Sequence, residues 1–151
     1  MNKTIKLFFI LITLFYSTSF SKDILKAKIG VKWDSDNKEY TAEGDVTYEN
    51  EDIKIFSQYL KAKYEMIDDK EIFNQIDVKD DVKIIFNDET YRADYGSYEK
   101  STEMIYLYNN VEIISEGRVL TGDELVIDIK NNTRTMKASK KDSIVEVFIN
   151  E

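Results

Sequence analysis

The chain has 151 residues, with no proline, cysteine or histidine and a formal net charge of -8. The missing cysteines exclude disulfide and thiolate chemistry, and the missing histidines remove the commonest general base and metal ligand. The acidic balance argues against nucleic acid and against nonspecific attraction to an anionic membrane, while 42% apolar and 33% charged residues suit one globular domain.

Lys3 and Lys6 flank a short apolar run, Leu7 to Tyr16, and Ser19-Phe20-Ser21 precedes Lys22. A positive start, an apolar centre and a small-x-small site predict a cleaved secretory signal over 1–21, followed by one domain over 22–151. Ten apolar residues in a helix reach about 15 Å, half of a bilayer core. The competing reading is an uncleaved anchor extended through Ser17 to Phe20.

Ile29, Val31 and Trp33 then alternate with polar residues, Ser35 to Lys38 is a turn cluster, and Glu39 to Glu43 returns with Tyr40 and Ala42 on one face. Residues 53–67 are ambiguous. Ile53, Phe56, Leu60, Tyr64 and Ile67 fit a helix, whereas Ile53-Ile55 and Leu60-Ala62-Tyr64 fit a strand with a phase change between them. The corresponding places further on carry Gly96 and Gly122, each poor in a helix interior by about 1 kcal/mol. The expectation is therefore strand, with a bulge or corner near Ser57-Gln58.

Asp68 to Glu71 reads as a turn, 71–77 as a short strand or loose connection, and Lys79-Asp80-Asp81 as the start of a unit with Val82, Ile84 and Phe86 on one face. Tyr91, Ala93 and Tyr95 alternate, and Tyr98 to Thr102 turns. Asn109 to Ser139 reads as four short strands, broken at Ser115 to Arg118, at Gly122-Asp123 and at Asn131-Asn132, the residue types that tolerate positive φ. Ile144 to Ile149 closes the chain as a strand apolar on both faces. With only Glu146 to gate it, such an edge is a template for another chain, through Val145, Val147 and Ile149.

A loose repeat runs through this order. Gly44-Asp45-Val46, Asp80-Asp81-Val82 and Asn109-Asn110-Val111 each precede an alternating run and a polar turn. Ser57-Gln58, Ala93-Asp94 and Gly122-Asp123 follow the next strand. The anchors are about thirty residues apart, in the range of repeat architectures, and no such unit buries its apolar face alone.

No constellation carries catalysis. Asp68-Asp69, Asp80-Asp81 and Asp123-Glu124 sit in apparent turns, and neighbours in an extended chain point to opposite faces, so they do not converge as a glycosidase pair must. Calcium-loop spacing, phosphate-cradling glycines and nucleophile motifs are missing. The reading is a binding protein, not an enzyme, with no metal and no cofactor.

The Gly44-Asp45-Val46 start, Asp52-Ile53-Lys54-Ile55, and Asn110-Val111 followed by Leu120-Thr121-Gly122-Asp123-Glu124-Leu125 resemble the OstA-like, LptA-type family of periplasmic lipopolysaccharide-transport proteins. Met136 to Ser139 and Val145-Glu146-Val147 fit the same family's end, so the resemblance covers 24–149. It rests on the order of several weak motifs together. Family members begin with one more complete hairpin than is traceable here, and their unit-start glycine is replaced by Asp80 and Asn109.

The resemblance implies an all-β, open V-shaped β-jellyroll of repeated antiparallel hairpins. It implies a periplasmic carrier shielding lipid A acyl chains in an apolar groove and bridging the inner and outer membranes. LptC-like and LptD-like OstA-fold proteins would be its partners by edge-strand pairing, with a head-to-tail homo-oligomer also open to it. The expected lipid contacts are the inward-alternating Val31, Trp33, Val46, Tyr48, Ile53, Ile55, Val82, Ile84, Phe86, Ile113, Leu125 and Ile127, ordinary core being the plain alternative for each. Lys26, Lys28 and Lys32 read as solvated strand lysines, with lipid phosphates as the alternative. Two other readings stay open: an LptC-like membrane-anchored partner, and a secreted structural β-repeat protein that binds no lipid.

Overall fold

The computed structural model describes residues 22–150, so the leader expected over 1–21 lies outside the described residues. Those residues form ten strands and no helix. They are β1 (Ile24–Lys26), β2 (Gly30–Asp34), β3 (Glu39–Glu49), β4 (Lys54–Ile67), β5 (Lys70–Phe86), β6 (Glu89–Glu99), β7 (Met104–Ser115), β8 (Arg118–Asp128), β9 (Thr133–Lys137) and β10 (Glu146–Ile149). The ambiguous stretch 53–67 is strand.

All strands pair antiparallel in one sheet. β3 to β8 follow one another as a meander, with β1 and β2 sharing the outer side of β3, and β9 and β10 sharing that of β8. Isoleucine, valine and tyrosine at every second position supply the driving force, since one face of each strand must leave water.

The repeated motifs are not turns between strands. They are corners in the middle of long ones. Pairing shifts register between Glu43 and Val46 in β3, between Lys79 and Val82 in β5, and between Tyr108 and Val111 in β7. At these places two consecutive residues hold positive φ: Gly44 and Asp45 at 77° and 41°, Asp80 and Asp81 at 63° and 54°, Asn109 and Asn110 at 63° and 52°. Gly, Asp and Asn are the types that enter this region most cheaply.

Opposite them sit Ser57-Gln58, Ala93-Asp94 and Gly122-Asp123. Side chains tie the corners across strands: Gln58 Nε2 donates to Asp45 Oδ1 at 3.1 Å, and Asn110 Nδ2 to Asp94 Oδ2 at 2.7 Å. Residues 71–86 are consequently part of one 17-residue strand rather than a loose connection followed by a new unit. The four strands read in 109–139 are the second half of β7, an unbroken but bent β8, and β9.

The corners line up into a crease that runs across the sheet and folds it into two layers. The first layer holds β1, 46–57, 82–93, 111–122 and β10. The second holds β2, 39–43, 59–79, 95–108, 124–128 and β9. Inner-facing residues pair row by row. In the first layer Leu25, Tyr48, Ile55, Ile84, Tyr91, Ile113, Leu120 and Val147 are successive register partners. In the second, Val31, Ala42, Leu60, Val78, Gly96, Leu107, Leu125 and Met136 are. Gly96 leaves room for its neighbours, because a Cβ there would lie 2.9 Å from Leu107 Cδ2 and 3.1 Å from Val78 Cγ2.

Among the described residues the sheet does not close into a barrel. Its layers end on free strands, β1 and β2 on one side, β9 and β10 on the other.

Candidate functional site: the apolar inner face and its open edges

All twelve expected contact residues lie on the inner faces, because a period of two keeps them there once the corners are allowed for. Ten are buried: Val46, Tyr48, Ile53, Ile55, Val82, Ile84, Phe86, Ile113, Leu125 and Ile127 are each at most 5% exposed. The layers therefore meet rather than stand apart as a wide slot. Across the gap the Tyr48 and Phe73 rings come within 6.2 Å. A groove of about 310 Å³, walled by Tyr59, Lys79, Tyr95 and Tyr108, opens on the outside of the second layer instead.

Val31 and Trp33 differ from the other ten. They sit on β2, where the inner face reaches the free edge, and are 49% and 58% exposed. Trp33 Nε1 donates to the Tyr64 hydroxyl at 3.0 Å, and its ring stacks on Tyr40 at 6.3 Å. At the other side, Val147 and Ile149 lie in β10 and Val145 just before it, all three exposed. Val147 extends the first-layer row beyond Leu120. Of the lysines at the β2 side, Lys28 is committed to Asp45 at 2.5 Å and Lys32 lies 3.6 Å from Asp34.

Three polar groups complete the site; the sequence reading gave none of them an inward place and took Asp123 for a solvated turn acid, whereas it is 8% exposed. Arg134 on β9 pairs in register with the buried Ile127, so its side chain faces inward. It reaches across to the first layer, where Nη2 lies 2.6 Å from Glu89 Oε2 and Nε donates to the Tyr91 hydroxyl at 3.1 Å. Burial opposes the Arg134 charge, but its bonds to Tyr91 and Glu89 outweigh this and raise its pKa. Burial, with the bond to Glu89, pushes the Tyr91 hydroxyl far up, so it stays a donor.

A second ion pair joins the layers near β1, where Lys100 Nζ lies 2.9 Å from Asp23. Asp23 also accepts from the Tyr48 hydroxyl at 2.8 Å. The third group, Asp123, anchors the β9–β10 connection. It accepts from the Ser143 hydroxyl and from the Ser139 and Lys140 amides at 2.8 and 3.0 Å. These bonds, led by that of Ser143, lower its pKa to about 2.

Arg134 and Asp123 were detectable in principle, since each stands two residues before an inward apolar residue, Met136 and Leu125. A charge at the apolar parity of a strand is the signal.

In both layers an apolar inner face thus runs between free edges. The structure is similar to the crystal structure of LptH, described as the LptA homologous periplasmic component of the conserved lipopolysaccharide transport device from Pseudomonas aeruginosa. The TM-score is 0.74 at 11% identity, covering 86% of this chain and 96% of that one. No curated protein matches the chain in sequence. The family model described as LptA/(LptD N-terminal domain) LPS transport protein matches residues 30–133. Two thirds of the chain thus carry that family's pattern, in the two-layered all-β fold of a solved LptA homologue, and the chain belongs to the LptA/(LptD N-terminal domain) family of LPS transport proteins.

Proposed function

We propose that this chain is a periplasmic carrier of lipopolysaccharide, exported with its leader 1–21 removed, which holds lipid A acyl chains between its two layers. The observation that carries the reading is the pair of apolar rows that cross every strand and end on free strands at both sides. Each methylene kept from water is worth about 0.8 kcal/mol, so a chain of about a dozen is worth on the order of 10 kcal/mol. Acyl chains entering between the layers would take the place of the side-chain contacts the layers lose on parting, so the apolar residues stay out of water. The crease supports such parting, because the corners carry the bend while the strands on either side keep their ladders.

The free edges support the second half of the proposal. LptC-like and LptD-like OstA-fold partners, or further copies of this chain, would add strands by β-augmentation, extending the inner face from molecule to molecule. Val145, Val147 and Ile149 form the edge expected to join.

The test is photo-crosslinking. A photoreactive residue at Ile55 or Ile84 should capture lipopolysaccharide, and one at the outward Lys54 or Lys83 should not. Equal capture on both faces would sink the carrier reading. Val147→Pro should reduce self-association in sedimentation, and an unchanged profile would remove β10 as the joint.

A further inference from the structure

We propose that Arg134 is the headgroup-reading residue of the groove, its guanidinium binding a phosphate of the lipid, and that Glu89 holds the same guanidinium edge when no phosphate does. The proposal rests on the carrier reading above and adds a charged subsite to it.

The placement comes first. β9 is the free edge of the second layer, and Arg134 projects from it into the gap between the layers. A lipid headgroup cannot follow its acyl chains into an apolar interior, because a phosphate would lose its hydration there. It must stop where the inner face reaches an open edge, and the guanidinium stands at such a place.

The chemistry of the pair comes second. Arg134 and Glu89 side chains are 18% and 20% exposed. An ion pair so far out of water is a weak stabiliser, since desolvation offsets most of its attraction. Nε and Nη2, the edge that receives a carboxylate or phosphate in fork geometry, both converge on one oxygen, Glu89 Oε2, at 2.8 and 2.6 Å. A phosphate would give each N–H an oxygen of its own, with charge-assisted bonds to both.

The surroundings suit an exchange of partners. Nη1 is held separately by Asn132 Oδ1 at 2.6 Å, and the Phe86 ring lies 5.8 Å from the guanidinium carbon, so the group stays aimed when Glu89 leaves. Glu89 retains the Tyr91 hydroxyl as a donor, so neither side of the broken pair is abandoned. The Lys100–Asp23 pair is not equivalent. Lys100 lies in the turn between β6 and β7, beyond the strands that carry the inner face.

The experiment compares lipopolysaccharide with enzymatically dephosphorylated lipopolysaccharide on the full chain carrying the photoreactive residue at Ile84, with apparent affinity read from capture. The unsubstituted protein should bind the phosphorylated lipid about tenfold to a hundredfold more tightly, the range of a charge-assisted hydrogen-bonded contact. R134Q should lose that preference while still capturing both lipids, R134K should keep part of it, and E89Q should widen it. A purely structural latch would instead weaken binding of both lipids alike in R134Q and E89Q. No preference in the unsubstituted protein, or an undiminished one in R134Q, overturns the proposal and leaves the carrier reading standing. If R134Q does not fold, R134K and E89Q decide by the same preference. Failure of the unsubstituted protein to capture either lipid removes the carrier reading and the phosphate subsite with it.

Discussion

The crease makes a claim about backbone rather than side chains, and valine at Asn109 and Asn110 tests it. Both residues sit in the middle of β7 with positive φ, where an L-residue pays about 1–2 kcal/mol and a β-branched one more. Asn→Val at both positions should therefore cost about 3–5 kcal/mol, including the lost Asn110–Asp94 bond. With a urea dependence of about 2 kcal/mol per molar, that is a midpoint lowered by about 1.5–2.5 M. Asn→Gly at both positions removes the strain, but it adds chain entropy to the unfolded state and loses the same Asn110–Asp94 bond, and should cost about 1–2 kcal/mol, less than the valine pair. Glu112→Val, on the extended outer face of the same strand, loses only a solvent-facing contact with Arg92 at 3.5 Å and should move stability by less than about 1 kcal/mol. If the double valine variant unfolds at the parent's urea concentration, or the double glycine variant is as destabilised as the valine, the corners do not set the bend.

Two further outcomes follow from the core and from the C-terminal connection. Leu107 is fully buried in the second-layer row, so Leu107→Ala should cost about 2–5 kcal/mol in the same urea assay, and a loss below about 1 kcal/mol would mean that the layers do not pack on each other. Asp123 has a lowered pKa, so its hold on the β9–β10 connection is complete above its ordinary value of 3.8 and is lost as pH falls through about 2. The Ser139 and Lys140 amide resonances should titrate with a midpoint near 2, and a midpoint at 3.8 would refute the assigned bonds.

The inner face was legible because alternation is local: Val82, Ile84 and Phe86 announce their common side without reference to any other strand. The corners were seen but misplaced. Asp80-Asp81 and Asn109-Asn110 carry the chemistry of a turn, and a turn and a mid-strand corner ask the same thing of a residue, namely tolerance of positive φ. What separates them is whether the partner strand bends at the same level, as β6 does at Ala93-Asp94. That is a property of pairing, which no single strand displays. The closeness of the layers was illegible for a related reason: a row of inward apolar residues is equally consistent with a filled gap and an open one. Arg134 was missed through attention to apolar residues alone, although its parity with Met136 marks it as inward.

The meander has a consequence for how the protein is made and how its family can vary. From β3 to β8 each strand bonds to the next one along the chain, so a hairpin can dock as soon as both of its strands are available, without waiting for residues still to come. The same arrangement makes length adjustable. Removing or duplicating β5 and β6 together would leave the strands on either side with antiparallel neighbours and the bends still in line, so descendants could shorten or lengthen by whole hairpins without redesigning the remainder.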